Sequence, residues 1–354
     1  MGKAGKEGPV EEKRFRNKIN WFTFFFSVLV IWVHSYNAVL FLGKTRIAYE
    51  VDALERFLGD QVAQIAVPGF FLISSYLFFR NFTLDRLWIK WNSRIRSVLV
   101  PYIVWNLLYY LGYVIGSRLP AMSGIIGKGR IPFRFTVAAD AVLHYTYNYV
   151  FWYLNQLIVL ILLAPVIYLI IRRRLTGVML LSGILAAIYS GGALPLVNLD
   201  ALFYYSFGAF AAVVERELAE QTWNRKSLLA GLAILAAGLL IKDLDLPGSI
   251  KGEVAATTVI FRLFIPVGLW LLVPEGLLGE AKDWMKQNFF LYAVHFAMVR
   301  LINKTGAFLL PAFPALPLGF FLLMPVLCVI FSYWAGLFLR RYLPVLWNLL
   351  NGGR

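Results

Sequence analysis

Acidic residues are scarce in this chain, and so are the side chains that anchor most local chemistry. Nineteen aspartates and glutamates stand against 34 lysines and arginines in 354 positions; histidine occurs three times and cysteine once. A single cysteine, Cys328, excludes an intrachain disulfide. His34, His144 and His295 are too dispersed to form a local metal-ligand pattern, so no metal is expected. There is no Walker loop, no glycine-rich dinucleotide turn, no HExxH and no GxSxG. No internal repeat, low-complexity block or Pro/Gly/Ser linker sets off a separate soluble domain.

What fills the chain instead is apolar sequence. Hydrophobic residues make up 60% and charged residues 15%, a balance foreign to a water-soluble domain of this size. A bilayer core takes about 20 apolar residues per helix. Stretches meeting or approaching that length lie near residues 21–43, 62–79, 97–117, 151–171, 175–191, 198–214, 227–241, 254–273, 288–308 and 316–339. The pattern predicts an all-α polytopic membrane protein, a bundle of about ten transmembrane helices. Residues 1–20 read as a cytoplasmic basic tail, 21–340 as the transmembrane domain and 341–354 as a cytoplasmic C-terminal tail. The stretch 135–150 is mixed in polarity and is expected to lie along an interface or re-enter.

The placement of cations gives the orientation. With the N-terminus inside, 22 lysines and arginines fall on the cytoplasmic side and 10 on the other, and Arg262 and Arg300 fall within spans. This bias predicts that both termini are cytoplasmic. It also accounts for the net charge of +15 through an anionic lipid leaflet, without a nucleic-acid partner.

Ionisable groups inside spans are costly and therefore candidates for function. His34 lies in FFFSVLVIWVHSYN, followed by polar Ser35 and Asn37, so the outer third of this helix is expected to face a wet cavity. A neutral imidazole there can take a proton near physiological pH. The bland alternative is a histidine that hydrogen-bonds a neighbouring helix. His295, in NFFLYAVHFAMVR, shares its span with Arg300, and Arg262 sits near the middle of the preceding span. A guanidinium keeps its charge, so each arginine must face a cavity, a partner or an anionic ligand. After the second span, Arg80, Arg86, Lys90, Arg94 and Arg96 crowd one segment, with Lys90 and Arg94 four apart on one helical face. Such a cluster can hold phosphates or anchor to lipid headgroups.

From about residue 17 to 340 the chain resembles the acyltransferase family 3 membrane proteins. INWFTFFFSVLVIWVHSYN resembles that family's first span with its characteristic histidine, here His34. VPGFFLISSYLFF is similar to the second-span segment, KWNSRIRSVLVPYIVWN to the basic loop, FWYLNQLIVLILLAP to the Trp-Phe-Leu span and FFLYAVHFAMV to the late Tyr-x-x-His segment. Three positions depart from the pattern. Thr23 replaces a basic residue eleven before the histidine, with Lys18 and Arg16 as the substitutes the tail offers. Ser75 replaces a glycine, and Asn155 a basic residue.

The resemblance implies transfer of an acyl group, usually acetyl from acetyl-CoA, to a hydroxyl of a sugar, glycan or glycolipid precursor at the bacterial cytoplasmic membrane. Under it, Lys90, Arg94 and Arg96 would hold the acyl-CoA donor and His34 would be catalytic, with His295 assisting. Arg262, Arg300 and Asn37 would meet the acceptor, and Arg262 or His295 would stabilise the developing oxyanion. Direct transfer and a covalent acyl-histidine both stay open. A transporter or flippase of a lipid-linked glycan is the alternative from another class, with Arg262 and Arg300 binding an anionic solute.

Overall fold

A computed structural model describes residues 9–120, 122, 126–242, 244 and 255–353. Residues 1–8 of the expected tail, Arg354, and residue 254 at the start of the eighth expected span lie outside the described residues. The described residues are helical and contain no β-strand.

In chain order the helices are α1 (Pro9–Val33), α2 (Ala38–Leu42), α3 (Arg46–Arg56), α4 (Ala66–Phe79), α5 (Leu87–Arg94) and α6 (Val100–Gly116). Next come α7 (Phe135–Leu143), α8 (Trp152–Leu162), α9 (Ala164–Ile171), α10 (Arg174–Tyr189), α11 (Leu199–Val213) and α12 (Arg216–Glu220). The last are α13 (Arg225–Lys242), α14 (Ala256–Leu272), α15 (Asn288–Leu309), α16 (Ala315–Tyr342) and α17 (Pro344–Asn351).

Among the described residues, four helical runs are long and apolar enough to cross a bilayer: Val10–Leu42, Arg46–Phe79, Leu84–Gly116 and Ala315–Tyr342. A fifth is added if the pair Tyr149–Leu162 and Ala164–Ile171 counts as one span. The shorter apolar helices include α10, α11 and α14.

Several segments differ from the expectation. Between the first two expected spans, residues 46–61 form no loop: α3 runs through a π turn and a short 3-10 turn into α4. The basic segment after α4 is likewise helical and continuous with α6. In place of one straight span at 151–171, the chain bends between α8 and α9. Pro165, in the first turn of α9, causes the bend. It lacks an N–H, and its ring collides with the carbonyl four residues back. That carbonyl, on Ile161, accepts instead the indole N–H of Trp91 at 3.0 Å.

The chain divides into two compact units. The first comprises Met1–Val30, Asp60–Leu84 and Leu163–Asn288. In it α4 packs on α11, and α13 on α14. The α4–α11 approach depends on Gly208, where a Cβ would stand 2.5 Å from the carbonyl oxygen of Leu72. Partly buried ion pairs tie its polar end: Arg80 bonds Glu12 and Glu220, each at 2.7 Å, and Lys18 bonds Glu275 at 2.9 Å.

The second unit comprises Ile31–Gly59, Asp85–Leu162 and Phe289–Arg354. One core cluster joins Ile31, Leu291, Val299, Met324 and Cys328, from the end of α1, from α15 and from α16. Another joins Tyr110, Val114, Ile131, Ala141 and Tyr147. α2 and α3 pack on one another and on α16.

Candidate active site

His34 does not sit within a helix. α1 ends at Val33, and residues 34–37 leave helical form before α2 begins at Ala38. The last turn tightens, with the His34 N–H donating to Ile31 O at 3.1 Å and the Ser35 N–H to Trp32 O at 3.0 Å. The Ser35 hydroxyl also donates to the Ile31 carbonyl. Non-helical backbone at membrane depth is tolerated only where protein satisfies its polar groups. Here the backbone N–H groups of Asn37 and Ala38 donate to Glu55 Oε2 at 2.9 and 3.3 Å. Asn303 Nδ2 donates to Ser35 O at 3.2 Å, and Asn37 Nδ2 donates to Asn303 Oδ1 at 3.1 Å.

The break exposes the imidazole to a set of polar and aromatic groups of the same unit. His34 Nδ1 and the Tyr149 hydroxyl share a hydrogen bond of 2.9 Å. The His34 ring lies 5.4 Å from that of His295 and 5.8 Å from that of Phe296, centre to centre. Tyr149 stands edge-on to Phe296 at 4.7 Å. The Arg300 guanidinium lies 5.6 Å from the Phe296 ring and donates to the Tyr113 hydroxyl. α15 supplies His295, Phe296, Arg300 and Asn303. On a helix, positions 296, 300 and 303 share one face, which is why one element reaches both the imidazole and the broken backbone.

His295 is buried, and its Nδ1 lies 2.6 Å from the carbonyl oxygen of Tyr292. A carbonyl only accepts, so Nδ1 carries the proton and the neutral ring has its lone pair on Nε2. Among the described residues that Nε2 has no hydrogen-bond partner. The ring is held from behind: the Tyr292 hydroxyl donates to Val150 O at 2.6 Å, and Tyr292 stacks on Phe151 at 5.4 Å.

The structure therefore brings together His34 and Asn37 with His295 and Arg300, two segments more than 250 residues apart in the sequence. Lys90, Arg94 and Arg96 lie elsewhere in the same unit, on α5 and the turn after it. There Arg94 and Arg96 line an open groove with Asn92, Ser97, Asn348 and Gly353. Arg262 is on α14 and belongs to the first unit. Neither tail substitute for the basic residue replaced by Thr23 is unengaged: Lys18 is buried and paired with Glu275, and Arg16 pairs with Glu12.

Sequence reasoning missed Tyr149, Glu55 and Asn303. Tyr149 stands at the end of the mixed-polarity stretch 135–150, whose irregularity was its only signal. Glu55 sat in what read as a loop, and Asn303 in a polar patch near a helix end.

A bundle that opens an apolar helix around an imidazole, beside a second imidazole and a guanidinium, has the parts of a proton-transfer site within a membrane protein. The chain matches the acyltransferase domain family, acyltransferase family 3, over residues 16–337, and it belongs to that family. It is a membrane acyltransferase by that membership. It is similar to the succinoglycan biosynthesis protein ExoH of Rhizobium meliloti (strain 1021), at 24% identity over 331 residues, covering 86% of this chain and 83% of that protein. No solved structure matches it.

Proposed function

We propose that the chain moves an acyl group, acetyl above all, from acyl-CoA to a hydroxyl of a sugar, glycan or glycolipid precursor at the bacterial cytoplasmic membrane. The observation that carries this reading is the hydrogen bond between His34 Nδ1 and Tyr149, 2.9 Å long, in a helix break beside His295. With Nδ1–H donated to the phenol oxygen, Nε2 is the free lone pair and can act as a general base. The acceptor hydroxyl oxygen attacks the thioester carbonyl carbon while its proton passes to His34 Nε2. The C–S bond then breaks, and the CoA sulfur takes that proton as the imidazole returns to neutral. Arg300 is the cation close enough to His34's aromatic neighbour to offset charge on the carbonyl oxygen.

Family membership supports the acyl transfer and speaks against the transporter reading. The name of ExoH, a polysaccharide biosynthesis protein, supports a carbohydrate acceptor. The excess of cations on the expected inner side supports ten crossings with both termini cytoplasmic, which would set Lys90, Arg94 and Arg96 where a polyanionic CoA arrives.

The test uses purified protein in lipid nanodiscs with radiolabelled acetyl-CoA, and mass spectrometry of surface glycans with and without the gene. Loss of an acyl mass increment on deletion, and its loss in His34→Ala at unchanged protein abundance, are expected. Acyl transfer at the wild-type rate by His34→Ala would remove His34 from the mechanism.

A further inference from the structure

The break that presents His34 has no local cause. Residues 34–37 are His-Ser-Tyr-Asn, without the proline or glycine that ends most helices inside a membrane. A helix with this sequence would continue unless other groups held it open. What holds it comes largely from α3 and the turn after it. The buried stripe of α3 is Ala48, Val51 and Glu55, so a carboxylate occupies a place where packing alone would put leucine. Glu55 is fully buried, and burying a carboxylate is costly unless hydrogen bonds compensate. Its Oε2 takes the two backbone N–H groups that the break sets free. The same segment grips Tyr36: the Arg56 guanidinium lies 5.0 Å from its ring, and a Cβ on Gly59 would stand 1.9 Å from its hydroxyl. A side chain at position 59 would expel the tyrosine.

We propose that Glu55 is a positioning residue, whose carboxylate keeps α1 and α2 apart and so fixes the His34 imidazole against Tyr149 and His295. Were the helix to close over residues 34–37, His34 and the residues after it would fall about 100° apart on the path of α1, and the contacts of His34 with Tyr149 and His295 would not survive together. Glu55 touches neither imidazole; it acts through the backbone of Asn37 and Ala38.

This inference rests on the acyltransferase reading for its kinetic readout and has a second readout that does not. Glu55→Ala, Glu55→Asp and Glu55→Gln are compared in nanodiscs for kcat, donor KM and hydrogen exchange at the amides of Asn37 and Ala38. Alanine removes the acceptor, and aspartate keeps the charge but falls one methylene short. Glutamine keeps an oxygen where Oε2 stands. Ala and Asp should lower kcat about a hundredfold, leave donor KM within about twofold and speed exchange at both amides. Gln should rescue both kcat and amide protection.

Wild-type kcat with wild-type protection in Ala or Asp overturns the proposal. So does a Gln variant as slow as Ala with its amides still protected, because then the charge and not the backbone contact matters. If Ala and Asp fail to fold, Gln alone decides by the same criterion. If the wild-type chain transfers no acyl group, the functional reading fails while amide protection still tests the role of Glu55.

Discussion

Replacing Tyr149 by phenylalanine removes one oxygen and leaves the ring that packs edge-on against Phe296. The oxygen lost is the partner of His34 Nδ1 at 2.9 Å. In the resting enzyme this is a neutral hydrogen bond, contributing about 0.5–1.5 kcal/mol. As His34 accepts the acceptor's proton the bond becomes charge-assisted and about twice as strong, so the variant loses more in the transition state than in the ground state. Tyr149 is 50% exposed, and water competes for the freed nitrogen, which favours the lower part of the range. A net loss of about 0.5–1 kcal/mol is about a two- to fivefold fall in kcat, with donor KM unchanged if the phenol acts only through His34. Steady-state kinetics with labelled acyl-CoA in nanodiscs measure both constants. The decisive control is the pair: in a His34→Ala background, Tyr149→Phe should cost nothing further, since the two act as a unit. A wild-type kcat in the single variant refutes the reasoning. So does a second, additive loss in the double variant, which would mean that Tyr149 works independently of His34.

Changing Arg94 and Arg96 together to glutamine should raise donor KM about tenfold or more, as charge-assisted contacts to phosphates are lost; unchanged KM returns the groove to lipid anchoring. Arg300→Lys keeps the charge but loses the planar group lying over Phe296 and Tyr113. A fall of about tenfold in kcat at constant folding, seen by thermal melt, is expected. Glu275 gives a pH test outside the membrane-spanning helices. Burial pushes its carboxyl up, but the Lys18 ammonium and the Trp223 N–H more than offset this and hold it below its ordinary value. A depressed carboxyl stabilises the fold above its unfolded pKa and ceases to as pH falls through the folded one. Glu275→Gln should therefore melt below wild type at neutral pH, by about 1–3 kcal/mol of stability, and the gap should close in acid.

The cost of a charge in hydrocarbon made His34, His295 and Arg300 legible from the sequence, because apolar surroundings leave an ionisable group conspicuous. The same logic hid the rest. Tyr149 is amphipathic and common at membrane interfaces, so nothing in its type marks it. Glu55 sits among Asp52 and Arg56, which form an exposed pair on α3, and a helix with one charged face read as a loop. The kink at Pro165 followed from a residue in plain view, but the break after Val33 did not, because side chains from elsewhere impose it. Hydropathy found the apolar material and left open which of it reaches full crossing length, since several helices stop short of it.

The fixed proton on His295 narrows what that residue can do. A role in stabilising the oxyanion needs an N–H aimed at it, and the neutral ring has committed its only N–H to the Tyr292 carbonyl. His295 thus offers a lone pair to the space around Nε2, and the group it suits is a proton on its way to or from His34, whose ring centre is 5.4 Å away. Oxyanion stabilisation then falls to a group that cannot give up its charge. Arg300 meets that condition, and only one of its five N–H groups is needed for Tyr113. The two imidazoles and the guanidinium accordingly divide the work by chemistry: lone pairs for the proton, fixed positive charge for the carbonyl oxygen. A His295→Gln variant sharpens the division, because its amide can donate where Nε2 could only accept. Gain or retention of kcat in that variant would assign His295 to the oxyanion; loss matching His295→Ala would keep it with the proton.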